Sequence, residues 1–217
     1  MMNYLHKALL FLLLPLNLGA QPSVWDQWEP DVVRSLFTGH GTSYLTREEQ
    51  KVILFMNMAR YDGPLFASTF LDTYVKENQV EESEYLKSLL EDLEQVSGLA
   101  PLIPEEDLFD VANGHATKSG ETGHVGHKDM KKRFEPLRGH PYYAWGENCA
   151  YGYEEAISIV ITLLIDEDIP DVGHRKNILN PAYNSVGVAI RPHISYRVNC
   201  VIDFGKKSRS DLNHVPY

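Results

Sequence analysis

Three groups of residues in this chain carry side chains that can do chemistry. Gly146-Glu147-Asn148 places an acid between a glycine and an amide. Gly173-His174-Arg175 places an imidazole in a turn. Thr122-Gly-His-Val-Gly-His127 is a glycine-hinged loop with two histidines, His124 and His127. Between the first two groups runs an almost wholly apolar stretch, Ala156 to Ile165, followed by the acid cluster Asp166-Glu167-Asp168. Carboxylates and imidazoles brought to one place can hold a cation or move a proton. A glutamate and a histidine at either end of one buried segment point to a site that folding assembles. The bland alternative is structural: Glu147 accepts backbone N–H groups, and His174 caps the helix after it. His115 lies mid-helix and reads as a partly buried structural histidine.

The loop histidines are not the helical HExxH pair of zinc proteases, because glycines break the helix and the glutamate is missing. GxSxG, the phosphate-cradling P-loop and the dinucleotide fingerprint are also absent from the sequence. Net charge is −10, which argues against nucleic acid as the main partner. The one basic run, Lys128 to Arg133, reads as a solvated loop. Two cysteines, Cys149 and Cys200, leave a disulfide and a pair of buried thiols both open.

The elements that must position these groups follow from local signals. Residues 1–20 read as a cleaved export signal: Lys7, then Ala8 to Leu14, then Leu18-Gly19-Ala20. No other run is long enough to span a bilayer, so the mature chain is expected to be exported, with no integral membrane segment. Residues 21–45 form an aromatic extension. Thr46-Arg-Glu-Glu49 is a capping box that starts a helix reaching about Tyr61. On it, Asn57 and Arg60 read as capping or surface groups. Residues 65–77 and 82–97 predict two more helices, a helical insertion near 65–100. A further helix starts at Pro104 and ends near Gly120. The apolar run after Tyr153 is β-branched, but its length favours a buried helix over a strand. Ser185 to Pro192 and Tyr196 to Gly205 form a hairpin, and residues 206–217 a polar tail.

Taken together, Gly120-x-x-Gly-His124, Gly146-Glu-Asn-x-Ala-x-Gly152 and Gly173-His-Arg-x-Asn-Ile-Leu-Asn-Pro181, followed by Val186-Gly-Val188, resemble the CAP superfamily. That group contains cysteine-rich secretory proteins, antigen 5 and class 1 pathogenesis-related proteins, and the likeness is to its prokaryotic SCP-like branch. It spans residues 46–205, leaving 65–100 unmatched. The resemblance implies an α+β fold, an α-β-α sandwich with a small, mostly antiparallel sheet between helices. It also implies a cleft lined by a His–acid–acid–His tetrad. Carried over by motif, the tetrad is His124, Glu147, Asp166 and His174, with His127 the alternative if the loop shifts. Asp166 stands where the family has a glutamate, and Glu167 or Asp168 could substitute for it. Such a cleft could hold zinc or another divalent metal through His124 and His174 with Glu147 nearby, and a lipid or peptide ligand. The resemblance implies a binding module. The competing expectation is a metal-assisted hydrolase, a peptidase or esterase, with Glu147 as general base.

Overall fold

The computed structural model describes residues 23–137 and 142–208. The expected export signal and the tail from 209 onward lie outside the described residues.

Helix α1 (Pro30–Leu36) leads to α2 (Arg47–Tyr61), whose start is the expected capping box. Thr46 Oγ1 accepts from Glu49 N at 3.3 Å, and Glu49 Oε2 accepts from Thr46 N at 2.6 Å. The cap also reaches across the fold. Glu49 Oε1 accepts from Ile190 N at 2.8 Å and from Arg191 Nη1 at 2.7 Å, satisfying a strand N–H that has no ladder partner.

Asn57 and Arg60 are not surface groups; both are fully buried. Asn57 accepts from Leu102 N at 2.7 Å and donates to Leu36 O at 3.0 Å. Arg60 donates to the carbonyls of Ala100, Ile178, Asn180 and Tyr183. A guanidinium has five donors and no acceptor, so it can tie several irregular segments to one helix. Burial lowers the Arg60 pKa to about 10.

Helices α3 (Gly63–Phe66) and α4 (Asp72–Glu77) are joined through a π-helical turn, Ala67–Leu71, and α5 is Glu84–Glu94. Ile103–Pro104 then forms a short strand, β1, where a helix start was expected. Helix α6 runs from Glu106 to Thr122, further than Gly120, and α7 is Met130–Arg133. Strand β2 (Tyr142–Tyr151) carries the Gly146-Glu147-Asn148 triplet. The apolar run is α8 (Ala156–Ile165), as its length required, and α9 is Gly173–Ile178. The hairpin strands are β3 (Ser185–His193) and β4 (Arg197–Lys207).

The sheet order is β1-β3-β4-β2, parallel between β1 and β3 and antiparallel elsewhere. Helix α6 packs on one face, while α2, α8 and α9 cover the other, so the protein is an α+β sandwich. Gly187 permits the close approach of α6, because a Cβ there would lie 2.2 Å from the backbone of Leu108 and Phe109.

Directly opposed residues in a ladder share a face. Glu147 opposes Asp203, which opposes Gly187, so this row lies under α6. Cys149 opposes Val201, whereas Cys200 opposes Ala150. The two thiols therefore project to opposite faces, and both are free and buried.

Candidate functional site

The site is assembled at β2, an edge strand of the sheet, where the two helical layers meet. On the α6 side, Gly123 caps α6 in the left-handed region at φ 72°, a conformation glycine adopts without a Cβ clash. The loop that follows is pinned at Gly126. Its carbonyl accepts from His115 Nε2 at 2.9 Å, and its N–H donates to Tyr151 Oη at 2.9 Å. Ser119 Oγ donates to His115 Nδ1 at 3.3 Å. Held in this way, the loop delivers His127 to Glu147, with Nδ1 2.8 Å from Oε1. Arg133 closes the pair from α7, with Nη1 2.5 Å from Glu147 Oε2 and Nη2 2.9 Å from Oε1.

On the other side, Asp166 ends α8 in the left-handed region at φ 58°. Short polar side chains tolerate this geometry best after glycine. Asp166 Oδ1 lies 2.6 Å from His174 Nδ1, and Oδ2 accepts the N–H of His174 at 2.8 Å and that of Arg175 at 3.4 Å. The two halves are stitched by amides. Asn148 Nδ2 donates to His174 O at 3.0 Å, and Asn177 Nδ2 donates to Asn148 Oδ1 at 2.8 Å. The rings of His127 and His174 end with centroids 6.1 Å apart.

Glu147, Asp166, His174 and His127 thus lie together. His124 does not join them. Its carbonyl accepts from His193 Nε2 at 3.0 Å, and its own Nε2 is buried without a hydrogen-bond partner. The physical reason is the length of α6: because the helix runs to Thr122, the turn begins later, and the second loop histidine reaches the strand. The expected His124–His174 ligand pair is therefore not formed. Glu167, a possible substitute for Asp166, accepts instead from Ser83 Oγ at 2.7 Å.

Two further residues belong to the site that sequence reasoning missed. Arg133 was read as part of a solvated run, yet its side chain is 17% exposed and paired with a fully buried carboxylate. Asp203 is fully buried opposite Glu147, beside its carboxyl group. The signal was present: an acid inside the apolar strand Val201-Ile-Asp-Phe204 has no simple place in a core.

The electrostatics follow from burial and neighbours. Burial alone would raise the Glu147 pKa. Hydrogen bonds from His127 and Arg133 outweigh it and hold Glu147 below the ordinary carboxylate value. For Asp203 burial wins, reinforced by the Glu147 charge, and its pKa is pushed well up. Burial, with Glu147 and Asp203, also raises the Cys149 thiol. Burial lowers the His115 pKa despite Glu147 nearby.

His115, Glu147 and Cys149 offer ligand atoms within 4.8 Å of one another, a set whose donor chemistry could hold a metal. In the fold these donors are already engaged: His115 Nε2 by Gly126, and Glu147 by Arg133 and His127.

Comparison with known proteins gives the class to which this sandwich belongs. Residues 56–204 match the family model of CAP, the cysteine-rich secretory protein family. The chain belongs to that family.

Among solved structures, it is similar to an extracellular SCP-domain protein of Bacillus anthracis at 17% identity and TM-score 0.46, covering 83% of this chain and 44% of that one. The chain thus spans less than half of the Bacillus protein. It is also similar to an outer surface protein of Borrelia burgdorferi, at 18% identity and TM-score 0.42, covering 65% of this chain and 96% of that one. A cysteine-rich secretory protein of Staphylococcus aureus matches at 20% identity and TM-score 0.40, covering 59% and 41%. A search of the curated proteins gives no match. Among the described residues, no helix is long and apolar enough to cross a membrane.

Proposed function

We propose that this chain is an exported binding module whose cleft holds a divalent metal, zinc in the first instance, between His127 and His174, beside a lipid or peptide ligand. One observation carries the reading: each ring gives its Nδ1 to a buried carboxylate, Glu147 or Asp166. A neutral imidazole whose Nδ1–H is so engaged keeps its lone pair on Nε2, and a carboxylate behind the ring raises its basicity as a ligand. Both rings remain partly exposed, His127 at 44% and His174 at 19% of the side chain. A metal held there would supply Lewis acidity and open ligand positions. The protein's part is to orient the rings and fix their tautomers.

The same geometry counts against hydrolysis with Glu147 as base. A general base works best with a pKa near the operating pH. Glu147 is held low, and both its oxygens are already taken.

The test is zinc titration by calorimetry. His127→Ala and His174→Ala should each abolish saturable binding, and Asp166→Asn should weaken it roughly 10–100-fold. Equal zinc affinity in wild type and the His127→Ala/His174→Ala double variant would sink the metal reading. Peptide or ester turnover that vanishes in Glu147→Gln would restore the hydrolase. Fractionation of cells expressing the full chain, with the mass of the mature form, tests export. A cytoplasmic, uncleaved product would overturn it.

A further inference from the structure

We propose a second binding site, independent of the histidine cleft, for a phosphate monoester. A cavity of about 660 Å³ lies between the C-terminal half of α6, the loop after it and α7. That volume is in the range of small-molecule sites. Lys118, Lys128, Lys132 and Arg133 line it, with His124, against one carboxylate, Asp129. Pro136 is the one apolar side chain in the lining beyond glycines and the threonine methyl.

Two features set this cavity apart from an ordinary solvated basic run. The chain has thirty acids to twenty lysines and arginines, and about half of the described cations pair with a carboxylate. Lys51 pairs with Glu48, Lys76 with Asp72, Lys87 with Glu84 and Lys207 with Glu105. Lys118, Lys128 and Lys132 have no ion-pair partner among the described residues. Three unpaired ammonium groups around one hollow repel one another, and a dianion among them removes that repulsion. The second feature is the balance of charge in the lining, where four cations, Lys118, Lys128, Lys132 and Arg133, face one carboxylate, Asp129.

The chemistry selects the ligand. Ammonium groups act as point charges on phosphate, and the polar lining suits the hydrophilic body of an ester rather than an acyl chain. Arg133 is not the anchor, since its guanidinium is committed to Glu147 and to Lys128 O. The lysines carry the site.

The experiment uses the full chain and calorimetry with inorganic phosphate and glucose 6-phosphate at low salt. A parallel arm uses phosphatidylcholine vesicles with and without a phosphatidylinositol phosphate. Wild type should bind the ester saturably, more weakly as salt is raised. Lys118→Glu/Lys132→Glu, two exposed positions, should weaken binding by about tenfold or more while leaving the melting temperature and zinc binding unchanged. His127→Ala should bind the ester as wild type does, which separates this site from the cleft. Binding of the soluble ester supports the site with a free metabolite as source. Retention by charged vesicles alone supports it with a lipid headgroup as source. Equal affinity in wild type and the lysine variant, equal retention on neutral vesicles, or no saturable binding to any phosphate probe would overturn it.

Discussion

The two histidine–carboxylate pairs solve one problem in different ways. Glu147 sits in a strand under α6, fully buried, and a guanidinium from α7 neutralises it. Asp166 sits at a helix end, also buried, and backbone N–H groups at the start of α9 hold it. The first solution is a charge pair between elements close in the fold but separated along the chain. The second is local, eight residues from acid to histidine. A charge held by a charge should fail badly when its partner goes. A charge held by amides should fail gently, because the amides cannot be deleted.

The sharpest way to break this comparison is Arg133→Ala. It leaves a buried carboxylate without its counter-charge and should cost about 3–5 kcal/mol. Asp166→Asn keeps the shape and loses charge-assisted hydrogen bonds, and should cost about 1–3 kcal/mol. Urea unfolding of both variants decides it; equal losses would mean that Arg133 is not what makes Glu147 tolerable.

A smaller effect lies in the pH dependence. Glu147 has a folded pKa below its ordinary value, so its contribution is complete above the ordinary carboxylate range. It is lost as pH falls through that range toward the folded value. His115 is also lowered, by burial, and its neutral form contributes stability that is lost as pH falls below about 6.5. Melting temperature should therefore fall from about pH 6.5 downward, with a second, steeper decline on the acid side. Glu147→Gln should flatten only the acid-side decline; a variant curve parallel to wild type would remove Glu147 as its source.

A further pH effect is expected at Asp203. Its folded pKa is raised, so the contribution belongs to the protonated form and is lost as pH rises. Asp203→Asn should raise the melting temperature at pH 8 and change it little at pH 4. The same gain at both values would show that proton uptake at Asp203 is not involved.

Much of the scaffold was legible because its signals are local. Thr46 and Glu49 announce their helix within four residues, and the valine-rich hairpin announces its strands. The three glycine-marked motifs carried the family resemblance. The run from Ala156 to Ile165 was ambiguous in composition but settled by length. The Gly146-Glu147-Asn148 strand was not legible, since it lacks alternation and owes its state to pairing with β4.

The sequence by itself determined the capping box, the buried helix from Ala156 to Ile165 and the hairpin, while the sandwich and the place of Asp166 were read through the family resemblance. Tertiary structure alone decided which loop histidine reaches Glu147, that Arg133 is its counter-charge, that Asp203 lies opposite it, and that Arg60 is a buried tie. Caps and periodicity act over one or two turns of chain, so they can be read from neighbours. Ladder register and the choice of partner for a buried charge depend on segments tens of residues away, and they exist only once the layers have closed.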